Sequence, residues 1–193
     1  MTGDPYLWPG TKCLRNKLGL TDPEKLAEFE KSIVTSRDVE LIRETLPGEY
    51  NLQHLQRFHW SLFRDVYDWA GQTRTVNIQK DGLQFGSWQY LDDEVSAVLS
   101  RLAVDRWLIG LARRAFIDKL AYYYGELNAR HPFREGNGRA QRAFLRQLSA
   151  AAGWQLDWSD LNEEDNIAAS QQNLITASHT QLAKVLDPVV TRI

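Results

Sequence analysis

The sequence predicts a mainly α fold: a helical bundle interrupted by one β-hairpin. Three observations carry this. Apolar residues recur at spacings of three and four through most of the 193-residue chain. One stretch, residues 74–80, switches to alternation and runs into Asp81-Gly82, a favoured hairpin turn. No repeat, low-complexity tract or compositional break divides the chain, which therefore reads as a single domain, 21–193, behind an N-terminal arm, 1–20.

The arm is rich in Pro and Gly and is expected to be irregular, with Tyr6, Leu7 and Trp8 pinning it to the body. Thr21-Asp22-Pro23-Glu24 then reads as a helix start, with Glu three after Thr21 and Pro in the first turn. That helix should run to about Glu44, with Leu26, Phe29, Ile33 and Leu41 inward, and Pro47-Gly48 ending it. A second helix is expected over 52–69 on Leu52, Leu55, Phe58, Leu62, Val66 and Trp69. His54 and His59 lie five apart on it, do not share a face, and read as structural or surface.

Gly71 breaks the second helix, and a hairpin over about 74–86 follows. Asp92-Asp93-Glu94 starts a third helix, acidic where the dipole favours it, with Val95, Val98, Leu99 and Leu102 as its apolar stripe. A fourth, 111–129, carries Phe116, Leu120, Tyr123 and Leu127 and delivers the chain to His131. A fifth, 139–152, turns Phe144, Leu145 and Leu148 inward and ends at Gly153. Residues 154–158 read as a short extended link. The tail, 162–186, reads as helical, with Ile167, Leu174, Leu182, Val185 and Leu186 as core and His179 at the surface or packed.

Composition excludes several classes. Hydrophobic residues make up 43%, enough for a sizeable core, and the formal net charge of −2 with no basic block argues against direct nucleic-acid binding. A single cysteine, Cys13, rules out an internal disulfide framework. No apolar run approaches the roughly 20 residues of a membrane span, and no secretory signal opens the chain, so the expected place is the cytoplasm. No G-x-x-x-x-G-K-[ST] loop is present.

The chemistry gathers in His131-Pro132-Phe133-Arg134-Glu135-Gly136-Asn137-Gly138-Arg139-Ala140-Gln141-Arg142. Gly136, Asn137 and Gly138 form a turn opening onto a helix, whose amides and dipole suit an anion. Arg139 and Arg142, three apart, share a helix face and offer guanidinium forks to phosphate. Glu135 is a hard oxygen ligand that, with phosphate and water, could hold Mg²⁺. His131 can accept a proton near neutrality. Each residue alone has a commoner structural role; their joint spacing points to a polyphosphate site.

This run matches every fixed position of the Fic family motif, H-P-F-x-[D/E]-G-N-G-R-x-x-R, and the chain resembles Fic proteins from Asp4-Pro5-Tyr6 to its last helix. The resemblance implies a Fic-type helical bundle with a β-hairpin flap, and a protein adenylyltransferase that uses ATP and Mg²⁺. It implies His131 as general base, Phe133 as the loop's core anchor and Glu135 as the metal ligand. Gly136, Asn137 and Gly138 would form the anion hole, and Arg139 and Arg142 would grip the outer phosphates. The flap residues Thr75, Val76, Asn77, Ile78, Gln79 and Lys80 would dock a target protein bearing a Ser, Thr or Tyr hydroxyl.

Many Fic proteins carry an inhibitory [S/T]-x-x-x-E-[G/N] helix. Here the candidates starting at Ser36, Thr45 and Ser159 all fail at the last position. The chain thus resembles the toxin half of a toxin–antitoxin pair, with a small antitoxin supplying the glutamate and a type II topoisomerase subunit as an expected target. Two alternatives stay open: transfer of phosphocholine, phosphate or UMP, and a non-catalytic nucleotide-binding module.

Overall fold

A computed structural model describes residues 4–193. Among them, seven α-helices surround one core, and two short two-stranded sheets lie at the edges. Helix α1 (Pro23–Arg43) is capped by Asp22, whose carboxylate accepts from the amides of Glu24 and Lys25 at 2.9 and 3.4 Å. Thr21, expected as the capping residue, lies one position outside. The buried stripe of α1 is Leu26, Glu30 and Val34, while Phe29 is 52% exposed rather than inward. The helix packs mainly on α2 and α5, and its buried face is narrow.

Helix α2 (Leu52–Phe63) is capped by Asn51 and stops six residues short of the expected end. Val66 and Tyr67 remain buried because the following turn folds both back onto Phe63, their amides donating to its carbonyl. Strands β1 (Gln79–Lys80) and β2 (Leu83–Gln84) pair antiparallel, with Lys80 opposite Leu83. Asp81 and Gly82 both take positive φ (52° and 78°), the pattern of a tight hairpin turn. The strand reading of 74–78 does not hold. Residues before Ile78 bond elsewhere: the Asn77 side chain accepts from the Trp88 amide, and the Val76 carbonyl accepts from Arg74.

Helix α3 (Leu91–Val104) follows a 3₁₀ turn and buries Leu91 together with the four expected residues. Three residues in sequence then take left-handed backbone, Arg106, Trp107 and Leu108 (φ 53°, 51° and 63°), none of them glycine. Burial of the whole Leu108 side chain offsets the conformational cost. Helix α4 (Arg113–Arg130) is the central element, packed by α3, α5 (Asn137–Ala151), α6 (Glu163–Thr176) and α7 (Thr180–Leu186).

Two features of the tail differ from expectation. The link is strand β3 (Trp154–Leu156), paired antiparallel with β4 (Val190–Arg192), a partner too distant in sequence to be read locally. The single helical tail is broken into α6 and α7 at Ala177 (φ 55°), and Ile167 is 42% exposed. The arm is tied down as expected. Tyr6 sets its ring edge-on to Trp69, and the Trp8 indole donates to the Leu20 carbonyl at 2.9 Å.

The capping assignment is open to a direct check. Asp22→Ala should cost about 1 kcal/mol of stability in urea unfolding. Thr21→Ala should stay within about 0.5 kcal/mol. The reverse order would return the cap to Thr21.

Candidate active site

The site begins where α4 ends. His131 is the C-capping residue of α4 and sits in the left-handed region (φ 48°), its amide bonded to the Leu127 carbonyl at 3.0 Å. This reverses the chain and turns the imidazole inward. Nδ1 lies 3.2 Å from the Asn128 carbonyl, which assigns the proton to Nδ1 and leaves the Nε2 lone pair free. Phe85, at the root of the hairpin, stacks on the imidazole at 3.9 Å and 16°. Burial, reinforced by the nearby charges of Arg74 and Lys80, pushes the His131 pKa down to about 4, against a weaker opposing effect of the Asn128 carbonyl. The ring is therefore a neutral acceptor at physiological pH.

Arg74, which sequence reasoning did not single out, fixes this geometry. Its guanidinium is buried and donates to the carbonyls of His131 (2.8 Å), Val76 (2.6 Å), Gly86 (2.5 Å) and Arg130 (3.1 Å). Its backbone amide donates to the Pro132 carbonyl at 2.9 Å. No pattern of apolar spacing marks an arginine that bonds only to main chain.

The loop from His131 to α5 rests on an aromatic floor. Phe133 is fully buried and stacks on His59 at 4.0 Å; His59 stacks in turn on Phe63 at 4.7 Å. The Gly71 amide donates to His59 Nδ1, so Nε2 carries the proton and donates to the Glu135 carbonyl at 3.0 Å. Burial holds the His59 pKa at about 3. The structural reading of His59 stands, and its structural job is to hold this loop. Asn137 turns its side chain away from the cleft and closes a ring with the Phe133 main chain, accepting from its amide and donating to its carbonyl, each at 2.7 Å.

Gly136 has φ 77°, and a Cβ there would lie 2.2 Å from the Phe63 ring. Only glycine lets the chain cross Phe63 and start α5. The amides of Asn137, Gly138 and Arg139 consequently open the helix without main-chain partners.

Charge is distributed unevenly around this turn. The Glu135 carboxylate accepts from the Gly136 amide (2.8 Å) and from Arg139 Nη2 (3.2 Å). The same Nη2 is ion-paired at 2.6 Å with Glu30, a buried carboxylate on α1 that also accepts from the Tyr67 hydroxyl. The Arg139 guanidinium lies over the Phe63 ring. Arg142, by contrast, has no carboxylate partner among the described residues.

His131, the Gly136–Gly138 turn, Glu135, Arg139 and Arg142 line one cleft of about 530 Å³. Its other walls are α1 (Ala27, Glu30, Lys31), the hairpin (Lys80, Leu83, Phe85), α4 (Tyr124, Asn128) and α6 (Asn166, Ile167, Leu174). Phe133 lies beneath rather than in it. Of the six flap residues, only Gln79 and Lys80 are in the ladder. Thr75 bonds through its amide to the Tyr6 hydroxyl, and Ile78 accepts from the Phe85 amide.

Fold and site together define a helical protein whose cleft sets an open helix start beside a neutral histidine. Residues 49–149 match the Fic/DOC family, and the chain belongs to that family. It is 36% identical over 190 residues to the probable protein adenylyltransferase Fic of Escherichia coli, covering 97% of this chain and 92% of that one. It is 39% identical to the protein adenylyltransferase VbhT of Bartonella schoenbuchensis over 88% of this chain, which spans only 35% of that protein. Among solved structures it resembles BepC of Bartonella tribocorum with bound AMPPNP (TM-score 0.92, 28% identity, 97% of each chain). It also resembles the ADP-bound N-terminal Fic domain of a Bep effector from Bartonella quintana (TM-score 0.93, 27% identity, 97% of this chain and 94% of that one).

Two outcomes follow from this packing. Gly136→Ala should destabilise by at least about 2 kcal/mol, from overpacking on Phe63 plus the left-handed backbone. Gly153→Ala, with φ 85° but open space around it, should bear only the backbone strain, about 1–2 kcal/mol. Equal losses in urea unfolding would argue against the Phe63 contact.

Two histidines with lowered pKa also set a pH dependence. The unfolded chain takes up protons near the ordinary value of 6.5, whereas folded His131 and His59 do so only near 4 and 3. Unfolding free energy should therefore fall as pH drops from 6.5 toward 4. His59→Gln should lose less stability than the parent between pH 7.5 and 5; equal losses would remove His59 as a source.

Proposed function

We propose that this chain is a protein adenylyltransferase that moves AMP from ATP to a hydroxyl side chain of a target protein. The observation that carries the reading is the single cleft in which a neutral, inward-facing imidazole, three unpartnered helix-start amides and two arginines converge. The E. coli and Bartonella relatives bear that activity in their names, and BepC holds an ATP analogue.

In the reaction, a target Ser, Thr or Tyr hydroxyl oxygen forms a bond to the α-phosphorus. The bond from that phosphorus to the bridging oxygen breaks, and its electron pair leaves with pyrophosphate. His131 Nε2 takes the hydroxyl proton, its lone pair kept free by the Nδ1 contact to Asn128. The amides of Asn137, Gly138 and Arg139 face the phosphates, with the α5 dipole behind them. Arg142 and the free Nη1 edge of Arg139 bind the outer phosphates. Most of the acceleration comes from holding these groups in place before substrate arrives.

Glu135 fits a Mg²⁺ held mainly by phosphate and water, since one carboxylate stands at the turn's mouth with Oε2 unbonded. No cluster of three His, Cys, Asp or Glu among the described residues would cage an ion alone. When bound, the ion would offset phosphate charge.

The target docks by strand addition beside the hairpin, over residues 75–80, with main-chain pairing centred on Gln79 and Lys80. The partner that restrains the enzyme is a small antitoxin whose glutamate meets the unpaired Arg142. No helix of the described residues is long and apolar enough to cross a membrane, which fits a cytoplasmic site of action.

The test is incubation with ATP labelled on the α-phosphate and a bacterial lysate, then mass analysis of the tagged peptide. An AMP increment on a hydroxyl residue is expected. His131→Ala should keep ATP binding and lower the rate about 10²–10⁴-fold. A parental rate in that variant would overturn the base assignment. Expression without the antitoxin should arrest growth, and unimpaired growth with active enzyme would remove that partner.

A further inference from the structure

Two carboxylates compete for one nitrogen beside the glycine turn. Arg139 Nη2 lies 2.6 Å from Glu30 and 3.2 Å from Glu135. The two are not equal partners. Glu30 comes from α1, outside the motif run, and its side chain is 9% exposed, against 44% for Glu135. Both Glu30 oxygens are engaged, Oε1 by Arg139 and Oε2 by the Tyr67 hydroxyl. Glu135 engages only Oε1, with the Gly136 amide and Arg139, and leaves Oε2 unbonded.

Glu30 is fixed from behind. Tyr67 is buried and stacks on Trp69 at 4.2 Å and 19°. Burial, together with the Glu30 carboxylate, raises the pKa of the Tyr67 hydroxyl, which therefore stays a donor at neutral pH. Arg139 rests on the Phe63 ring, 4.7 Å from its centroid. A ring beneath and a buried anion at one edge thus hold the guanidinium without help from Glu135. Without Glu30, Glu135 would be the only carboxylate on Arg139 among the described residues.

We infer that Glu30 is a positioning residue, which holds Arg139 so that Glu135 can leave it for a phosphate-bound Mg²⁺. The ligand rests on the ATP reading proposed above; the arrangement of the two carboxylates does not. A Glu135 that turns to an ion gives up its bond to Arg139. With Glu30 in place, that exchange leaves no half-buried guanidinium unpaired. Without it, the exchange strands one, and removing one partner of such a pair is costly. Glu30 also sets the local charge. It offsets one arginine, so its loss makes the turn more positive. Metal-free ATP, an anion, should then bind at least as well, while the Mg²⁺ that needs Glu135 binds less well. General loosening of the site would weaken both.

Titration of ATP onto the full chain, with Mg²⁺ and in chelator, tests this. In Glu30→Gln the Mg²⁺ concentration that half-saturates the ATP complex should rise about fivefold, the size of one partly exposed ion pair. ATP affinity in chelator should not fall. In a Glu135→Gln background the Glu30 substitution should raise the Mg²⁺ requirement no further. Tyr67→Phe keeps the Glu30 charge and removes its donor; it should lose stability in urea and keep the parental Mg²⁺ requirement. A parental requirement in folded Glu30→Gln overturns the inference, as does equal weakening with and without metal. The parent supplies a check that needs no variant. Crystals with a non-hydrolysable ATP analogue and Mg²⁺ should retain the Arg139–Glu30 pair and show Glu135 parted from Arg139. Glu135 still bonded to Arg139 in that complex overturns the inference. A Mg²⁺ requirement that depends on Glu30 in a chain that transfers no AMP keeps the positioning role and removes the transfer reading. AMP transfer whose Mg²⁺ requirement ignores Glu30→Gln does the opposite.

Discussion

A buried guanidinium bonded only to main chain sets the geometry of this protein. Arg74 reaches carbonyls at the end of α4, at His131, and on both sides of the hairpin. Carbonyls at a helix C-terminus carry the negative end of its dipole, so a cation there is favoured without any carboxylate. Burial lowers the Arg74 pKa to about 10, which leaves it charged at neutral pH. Losing that side chain would strand several buried acceptors at once. The imidazole's orientation and the hairpin's position are therefore one structural variable: a chain that moves its flap also moves its base.

The rest of the cradle follows from a second constraint, the crossing of the loop over Phe63. Gly136 permits the close approach, Phe133 and His59 fill the space beneath, and Asn137 ties the loop's two ends together. What remains on the upper side is main-chain amide and arginine. The polar groups that bind an anion are rigid because the groups that hold them are apolar, aromatic and fully packed. Specific chemistry is thus supplied by a few exposed atoms and its precision by a larger buried set.

The helices of the core were legible because they bury wide stripes: Val95, Val98, Leu99 and Leu102, or Phe116, Leu120, Tyr123 and Leu127, admit only one period. The twelve-residue run was legible because its spacing is dense and its chemistry local. Where the reading slipped, the deciding contact was distant or polar. The inward face of α1 was misjudged at Phe29 because its buried stripe contains Glu30, a carboxylate that pays for burial by meeting Arg139 and Tyr67. The strand β3 looked like a link because its partner follows only after α6 and α7. Arg74 gave no sign, and His59 showed only as structural without its task, because their polar partners are carbonyls and amides, which no side-chain pattern records.

The ring between Asn137 and Phe133 has a consequence for how the molecule ages. Asn137-Gly138 is an Asn-Gly pair, the sequence most prone to deamidation, in which the following amide nitrogen attacks the side-chain carbonyl carbon to close a succinimide. Here the side-chain amide is engaged on both of its atoms, and the Gly138 amide is held in the first turn of α5. Ring closure requires the loop to lift off its floor first. Loss of ammonia from this residue is therefore slaved to local unfolding, and the chemically most fragile bond of the cradle lasts as long as the packing beneath it.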